Sequence, residues 1–129
     1  MKNSVVGDKS FCFAIRIVKL YKYLCDTKKE FVLSKQVLRS GTSIGANIQE
    51  ALQGQSKKDF IMKMNIALKE TSETKYWLRL LLATEILTEK EQKSIFGDCI
   101  ELEKILTSIV KTTNNNLTLE KEKRNRKDK

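Results

Sequence analysis

No proline occurs anywhere in the chain and glycine occurs only five times, so almost nothing forces a helix to stop. Across long stretches the apolar residues recur at alternating spacings of four and three. The clearest run is Val37, Gly41, Ile44, Ile48 and Ala51, followed after a break at Gly54 by Phe60, Met64, Ala67, Thr71, Thr74, Leu78 and Leu81. That spacing puts each set on one stripe of an α-helix, with a heptad-like seam. The fold class expected is all-α. At 129 residues, one domain can bury a real core without disulfides or metals.

Local signals divide the chain further. Residues 1–7 read as a flexible arm, and Asp8 or Ser10 can cap a first helix over about 8–26. Ser34 is the expected cap of a second helix over 34–54, and Ser56-Lys57-Lys58-Asp59 has the form of a capping-box variant opening a third over 57–86. Thr88 to Glu91 is a fuller capping box for a fourth helix over 89–113, with Ile95, Cys99, Leu102, Leu106 and Ile109 inward. Four amphipathic helices with short connections predict an antiparallel up-down-up-down four-helix bundle. After Asn114-Asn115-Asn116 the chain becomes too polar to bury, so residues 114–129 are expected to be a disordered basic tail.

Two features of the predicted helices bear on packing. Helix one carries a stripe of Phe13, Ile17, Leu20 and Leu24 and a second of Phe11, Ala14, Ile15, Val18, Tyr21 and Cys25. One stripe suffices for the core; the second suggests a subunit interface or a wide buried face. In helix two, Gly41 and Gly45 each cost about 1 kcal/mol relative to alanine, which implies close approach by a neighbouring helix.

Composition narrows the chemistry. The chain has no histidine, which removes the commonest general base and the commonest transition-metal ligand together. Cys12, Cys25 and Cys99 show no Cys-x-x-Cys spacing and read as reduced thiols. No apolar run reaches the roughly 18 residues of a membrane span, and residues 1–10 lack a signal-peptide core, so a soluble cytoplasmic protein is expected. The net charge of +9 is uneven: residues 1–30 hold seven cations against three acids, residues 114–129 six against three, and residues 88–113 four against five. Such a balance favours a polyanionic partner through phosphate neutralisation.

Candidate sites follow. Glu70 and Glu73 share a helix face, but helical di-metal sites use Glu-x-x-His, so a carboxylate metal site is a remote reading. Ser40, Ser43 and Cys99 lack an evident activating base, and neither GTSIG nor GQSKK fits a phosphate-binding loop. No enzyme activity and no cofactor are expected. Arg39, Ser43, Asn47, Glu50 and Glu73 form a polar set near the seam, read as a hydrogen-bonded network around the arginine. The candidate nucleic-acid contacts are Lys9, Arg16, Lys19 and Lys22 on helix one, Lys57, Lys58 and Lys63 on helix three, and Lys121, Lys123, Arg124, Arg126 and Lys127 in the tail. Trp77 and Tyr76 could stack on bases, although tryptophan among leucines usually packs in a core or interface.

The runs LRSGTSIGANIQEA and SKKDFIMKMNIALKETSETKYWLRLL resemble the bacterial four-helix-bundle family encoded by intervening sequences in 23S ribosomal RNA genes, often labelled ribosomal. The likeness spans about residues 8–112 and is closest over 38–82. Its pattern falls on Arg39, Ser40, Ser43, Ile44, Ala46, Asn47, Ile48 and Glu50, then on Ser56 to Phe60 and on Glu73. The resemblance implies a bundle, a homopentameric ring, and kinship to the basic accessory protein of diversity-generating retroelements, which binds nucleic acid and partners a reverse transcriptase. It implies no catalytic residues. The leading expectation is a non-enzymatic oligomer binding RNA or DNA through a basic surface, and the rival is a protein assembly scaffold without specific nucleic-acid binding.

Overall fold

The computed structural model describes residues 4–127, which form four helices: α1 Val5–Asp26, α2 Leu33–Leu52, α3 Lys57–Ala83 and α4 Glu89–Lys127. They run alternately up and down. Each packs on the next in sequence, and α1 closes the bundle against α4 with the least intimate contact of the four pairs.

The predicted seams are the core. Val37, Gly41, Ile44, Ile48 and Ala51 of α2 are buried, as are Met64, Ala67, Thr71, Thr74, Leu78 and Leu81 of α3 and Ile95, Cys99, Leu102 and Leu106 of α4. At the start of α3 the buried residue is Ile61, and Phe60 is half-buried. Phe13, Ile17 and Leu24 fill the α1 side. The hydroxyls in the α3 seam bond within the bundle: Thr71 Oγ1 donates to the Ala67 carbonyl at 2.8 Å, and Thr74 Oγ1 lies 2.8 Å from the Glu70 carbonyl and 2.9 Å from Ser40 Oγ. A buried hydroxyl bonded one turn back costs little. No buried side-chain nitrogen or oxygen among the described residues lacks a partner.

The glycines of α2 mark where α1 lies against it. A Cβ on Gly41 would sit 2.7 Å from Ile17 Cγ1, and one on Gly45 would lie 3.5 Å from the Ser10 carbonyl oxygen. Gly41 is thus the pocket for the Ile17 side chain, while a Cβ on Gly45 would make only ordinary contact with Ser10.

Several boundaries differ from expectation, each through an identifiable cap. Of the expected arm, residues 1–3 lie outside the described residues; Ser4 caps α1 by accepting from the Gly7 amide at 3.0 Å, so the helix begins before Asp8 and Ser10. Ser34 is not the cap of α2 but is buried. Glu30 caps it instead, its carboxylate accepting from the amides of Val32, Leu33 and Ser34 at 3.2, 3.0 and 2.7 Å. Partial burial pushes the Glu30 carboxyl up, but those amides together hold it below its ordinary value. Ser56 caps α3 as expected, accepting from the Asp59 amide at 3.1 Å. Thr88 and Glu91 form the full reciprocal box at α4. The turns between α1 and α2 and between α3 and α4 each hold a non-glycine residue in the left-handed region, Lys29 at φ 55 and Glu85 at φ 62.

The largest departure is at the C-terminal end. Of the segment expected to be disordered, residues 128–129 lie outside the described residues and 114–127 continue α4 without a break, so that α4 has 39 residues against 27 in α3. Beyond Thr113 every side chain described is exposed except half-buried Leu117, so the expectation that the segment cannot bury stands. Its helix has local support. Glu120 and Glu122 precede Arg124 and Arg126 by four residues, the favourable order for such pairs. Arg124, Arg126 and Lys127 also oppose the helix dipole in the last turn.

Candidate nucleic-acid interface

The two halves of α4 carry opposite charge. Residues 89–103 hold five acids against two cations, and residues 104–127 hold seven cations against two acids. The acidic half lies along α1 and α3 and neutralises some of the cations on and beside them. Lys9 pairs with Glu101 at 3.2 Å, Arg16 with Asp98 at 2.6 Å, Lys28 with Glu91 at 3.3 Å, and Lys75 with Glu103 at 2.9 Å.

Glu91 is the centre of the tightest of these contacts. Its carboxylate accepts from the Thr88 amide and the Tyr23 hydroxyl and pairs with Lys28, whose ammonium stands 5.5 Å from the Tyr23 ring centroid. The Thr88 amide first, then the Tyr23 hydroxyl and Lys28, hold its carboxyl down at about 2. This cluster ties the end of α1 to the start of α4.

The predicted contact residues therefore separate into groups. Lys9 and Arg16 are taken up by α4, and Lys63 pairs with Glu50 at 3.0 Å. Lys57 pairs with Glu120 of the α4 extension. Lys19, Lys22 and Lys58 are exposed and form no ion pair among the described residues. Lys121, Lys123, Arg124, Arg126 and Lys127 are likewise exposed.

Lys57, Lys58 and the last turns of α4 sit at the same end of the bundle, because the Lys57–Glu120 pair joins the first turn of α3 to the extension. The Lys57 ammonium holds the Glu120 carboxyl below its ordinary range, with Arg124 and Lys123 adding to the effect. That end is a basic pole. Lys19 and Lys22 lie elsewhere, toward the C-terminal half of α1. Sequence reading missed Lys104 and Lys111, which face a groove of about 520 Å3 between α3 and α4 leading toward this pole. Their spacing of seven residues on a helix of unbroken pattern was the available signal.

The proposed polar network around Arg39 does not form as one unit. Arg39 reaches across to α3, 3.4 Å from Glu70 and in contact with Glu73, and the Trp77 indole N–H donates to Glu73 at 3.0 Å. Ser43 donates instead to the Arg39 carbonyl at 2.6 Å and Asn47 to the Ser43 carbonyl at 2.8 Å, each one turn back along α2. Glu50 is occupied by Lys63. Short side chains pointing along their own helix cannot span to the next one, whereas arginine can. Trp77 is half-buried against the core and edge-on to exposed Tyr76, 5.2 Å between ring centroids.

No cluster of three or more metal-ligating side chains occurs among the described residues. Burial pushes the Cys99 thiol up to about 12, which keeps it protonated and unreactive. No described helix is long and apolar enough to cross a membrane.

Comparison with known proteins places this geometry. A crystal structure of a protein of unknown function from the S23 ribosomal protein family of Bacteroides thetaiotaomicron VPI-5482 is 62% identical, over 83% of this chain and 99% of that one, with a TM-score of 0.81. The search of curated proteins finds no match. The family model described as 23S rRNA-intervening sequence protein matches residues 2–108, which takes in most of the bundle and stops short of the α4 extension. The chain belongs to the 23S rRNA-intervening sequence protein family.

Proposed function

We propose that this protein is a non-enzymatic, oligomeric helical bundle that binds RNA or DNA through its basic pole, by contacts to phosphates. The observation that carries the reading is the unequal neutralisation of its cations. Lys9 and Arg16 of α1 are matched by α4 carboxylates and Lys19 and Lys22 stand apart from the pole, while Lys58 and the five cations at the end of α4 remain exposed together around a single Glu120–Lys57 pair. A surface kept basic only for solubility gives no reason for cations to gather at one end.

Oligomerisation fits the exposed second stripe of α1. Phe11 is 67% exposed, Ile15 44% and Val18 37%, beside a groove of about 410 Å3 against Thr42, Ala46 and Gln49 of α2. Large exposed apolar patches mark interaction surfaces. A ring, pentameric by resemblance, would present several basic poles together and raise affinity through avidity. A reverse transcriptase or another protein remains a candidate partner on the same resemblance.

The test is binding of structured RNA, duplex DNA and heparin over a salt series, with mass in solution measured on the same sample. An oligomer that prefers a nucleic acid over heparin, with affinity falling steeply as salt rises, supports the reading. Equal weak binding to all three, lost by physiological salt, contradicts it and favours the assembly scaffold.

A further inference from the structure

The last turns of α4 are unlike any other surface of the bundle. From Lys121 to Lys127 the helix continues past its pair with Lys57, every side chain is exposed, and five of seven residues are cations. At about 100° per residue, Arg126, Lys123, Lys127, Arg124 and Lys121 fall in that order round an arc of about 220°. The two other residues, Glu122 and Asn125, both fall in the remaining arc. The cationic arc is centred on the side where Glu120 meets Lys57, so Lys57 and Lys58 flank it.

A one-sided polyanion, such as a membrane surface or a strand lying along the helix, is matched by a one-sided stripe. Cations round more than half of a rod match a trough with two charged walls. The major groove of B-form DNA is about 12 Å wide and lined on both sides by phosphates, and it admits an α-helix. A helix measures about 10–12 Å across its side chains. The major groove of A-form RNA is too narrow and deep for this.

Resting on the basic-pole reading, we infer that the end of α4 docks in the major groove of duplex DNA, its cations reaching phosphates on both walls. Glu122 and Asn125 face out of the groove. The residues that enter are nearly all phosphate-seeking, so recognition is of duplex form with little dependence on sequence.

The experiment is fluorescence anisotropy of the full chain with two labelled duplexes of one sequence, DNA and RNA, over a salt series. DNA should bind about tenfold or more tightly. In the variant K123Q/R124Q/K127Q that preference should vanish and the slope of log affinity against log salt should fall by about 2.7, near 0.9 for each cation lost. Glu122→Gln, on the outward arc, should leave the DNA-to-RNA ratio unchanged. All these side chains are exposed, and circular dichroism checks that the helix persists. Equal affinity for both duplexes, or a triple variant that keeps the preference, overturns groove docking and leaves the basic-pole reading standing. Binding to neither overturns both.

Discussion

The two parts of α4 differ in everything but backbone. Up to Thr113 the helix is held by Ile95, Cys99, Leu102 and Leu106 in the core and by carboxylates paired with α1 and α3. Beyond it the same helix has one half-buried leucine and one ion pair to the bundle. Continuity of secondary structure is therefore not continuity of packing. The first part is fixed by tertiary contacts, whereas the second has only the i,i+4 charge spacing and the dipole in its favour, each worth a few tenths of a kcal/mol to about 1 kcal/mol. A segment so weakly tied contributes little to stability and is available for a partner.

The largest effect expected from that contrast comes from ending the chain after Thr113. Affinity for nucleic acid should fall on the order of a hundredfold at low salt as six cations are lost. The melting temperature of the bundle should move by no more than about 2 °C. A large drop in melting temperature on this truncation would show that the extension belongs to the bundle after all.

Gly41→Ala works in the opposite direction. Its methyl group would meet Ile17 at 2.7 Å, and overpacking of this kind costs about 1–3 kcal/mol, more than the helix propensity gained. Denaturant unfolding measures that loss, while binding per folded molecule should stay the same. Gly97→Ala sharpens the comparison within the packed half of α4. Nothing lies within 4 Å of the added Cβ, so the substitution should stabilise by about 0.8 kcal/mol.

The acid dependence is a further probe of the packed half. Glu91 has its carboxyl held down at about 2 in the fold, against an ordinary value of 4.5. Its contribution is fully present above pH 4.5 and is lost as pH falls through about 2. Glu91→Gln should flatten the fall in stability over that window, measured by denaturant midpoints at a series of pH values. The group is half-buried and still partly screened by solvent, so this effect should be the smallest of the four.

The bundle was legible in the sequence because burial repeats. The four-three spacing of Val37 to Ala51 and Met64 to Leu81 needs no knowledge of a partner helix, and those residues are buried as read. What was not legible depends on other elements. Nothing near Lys9 or Arg16 in sequence shows that Glu101 and Asp98 neutralise them across the bundle. Ser34 is the expected cap because a hydroxyl just before an apolar run is the usual signal, yet Glu30 takes three amides from a turn that its own local sequence does not specify. The chain after the asparagines at 114–116 reads as a tail because it is too polar to bury, although without proline or glycine nothing obliges the helix to end there. The pairs Glu120–Arg124 and Glu122–Arg126 were the overlooked sign that it goes on.

The central claim is that nucleic acid is held at the basic pole and not on α1. Amide hydrogen exchange of the full chain, with and without duplex DNA, tests it most directly. The account predicts new protection over residues 114–127 and in the first turn of α3 near Lys57 and Lys58, with the amides around Lys19 and Lys22 unchanged. Protection centred on Lys19 and Lys22, with the α4 extension exchanging as in the free protein, would contradict it.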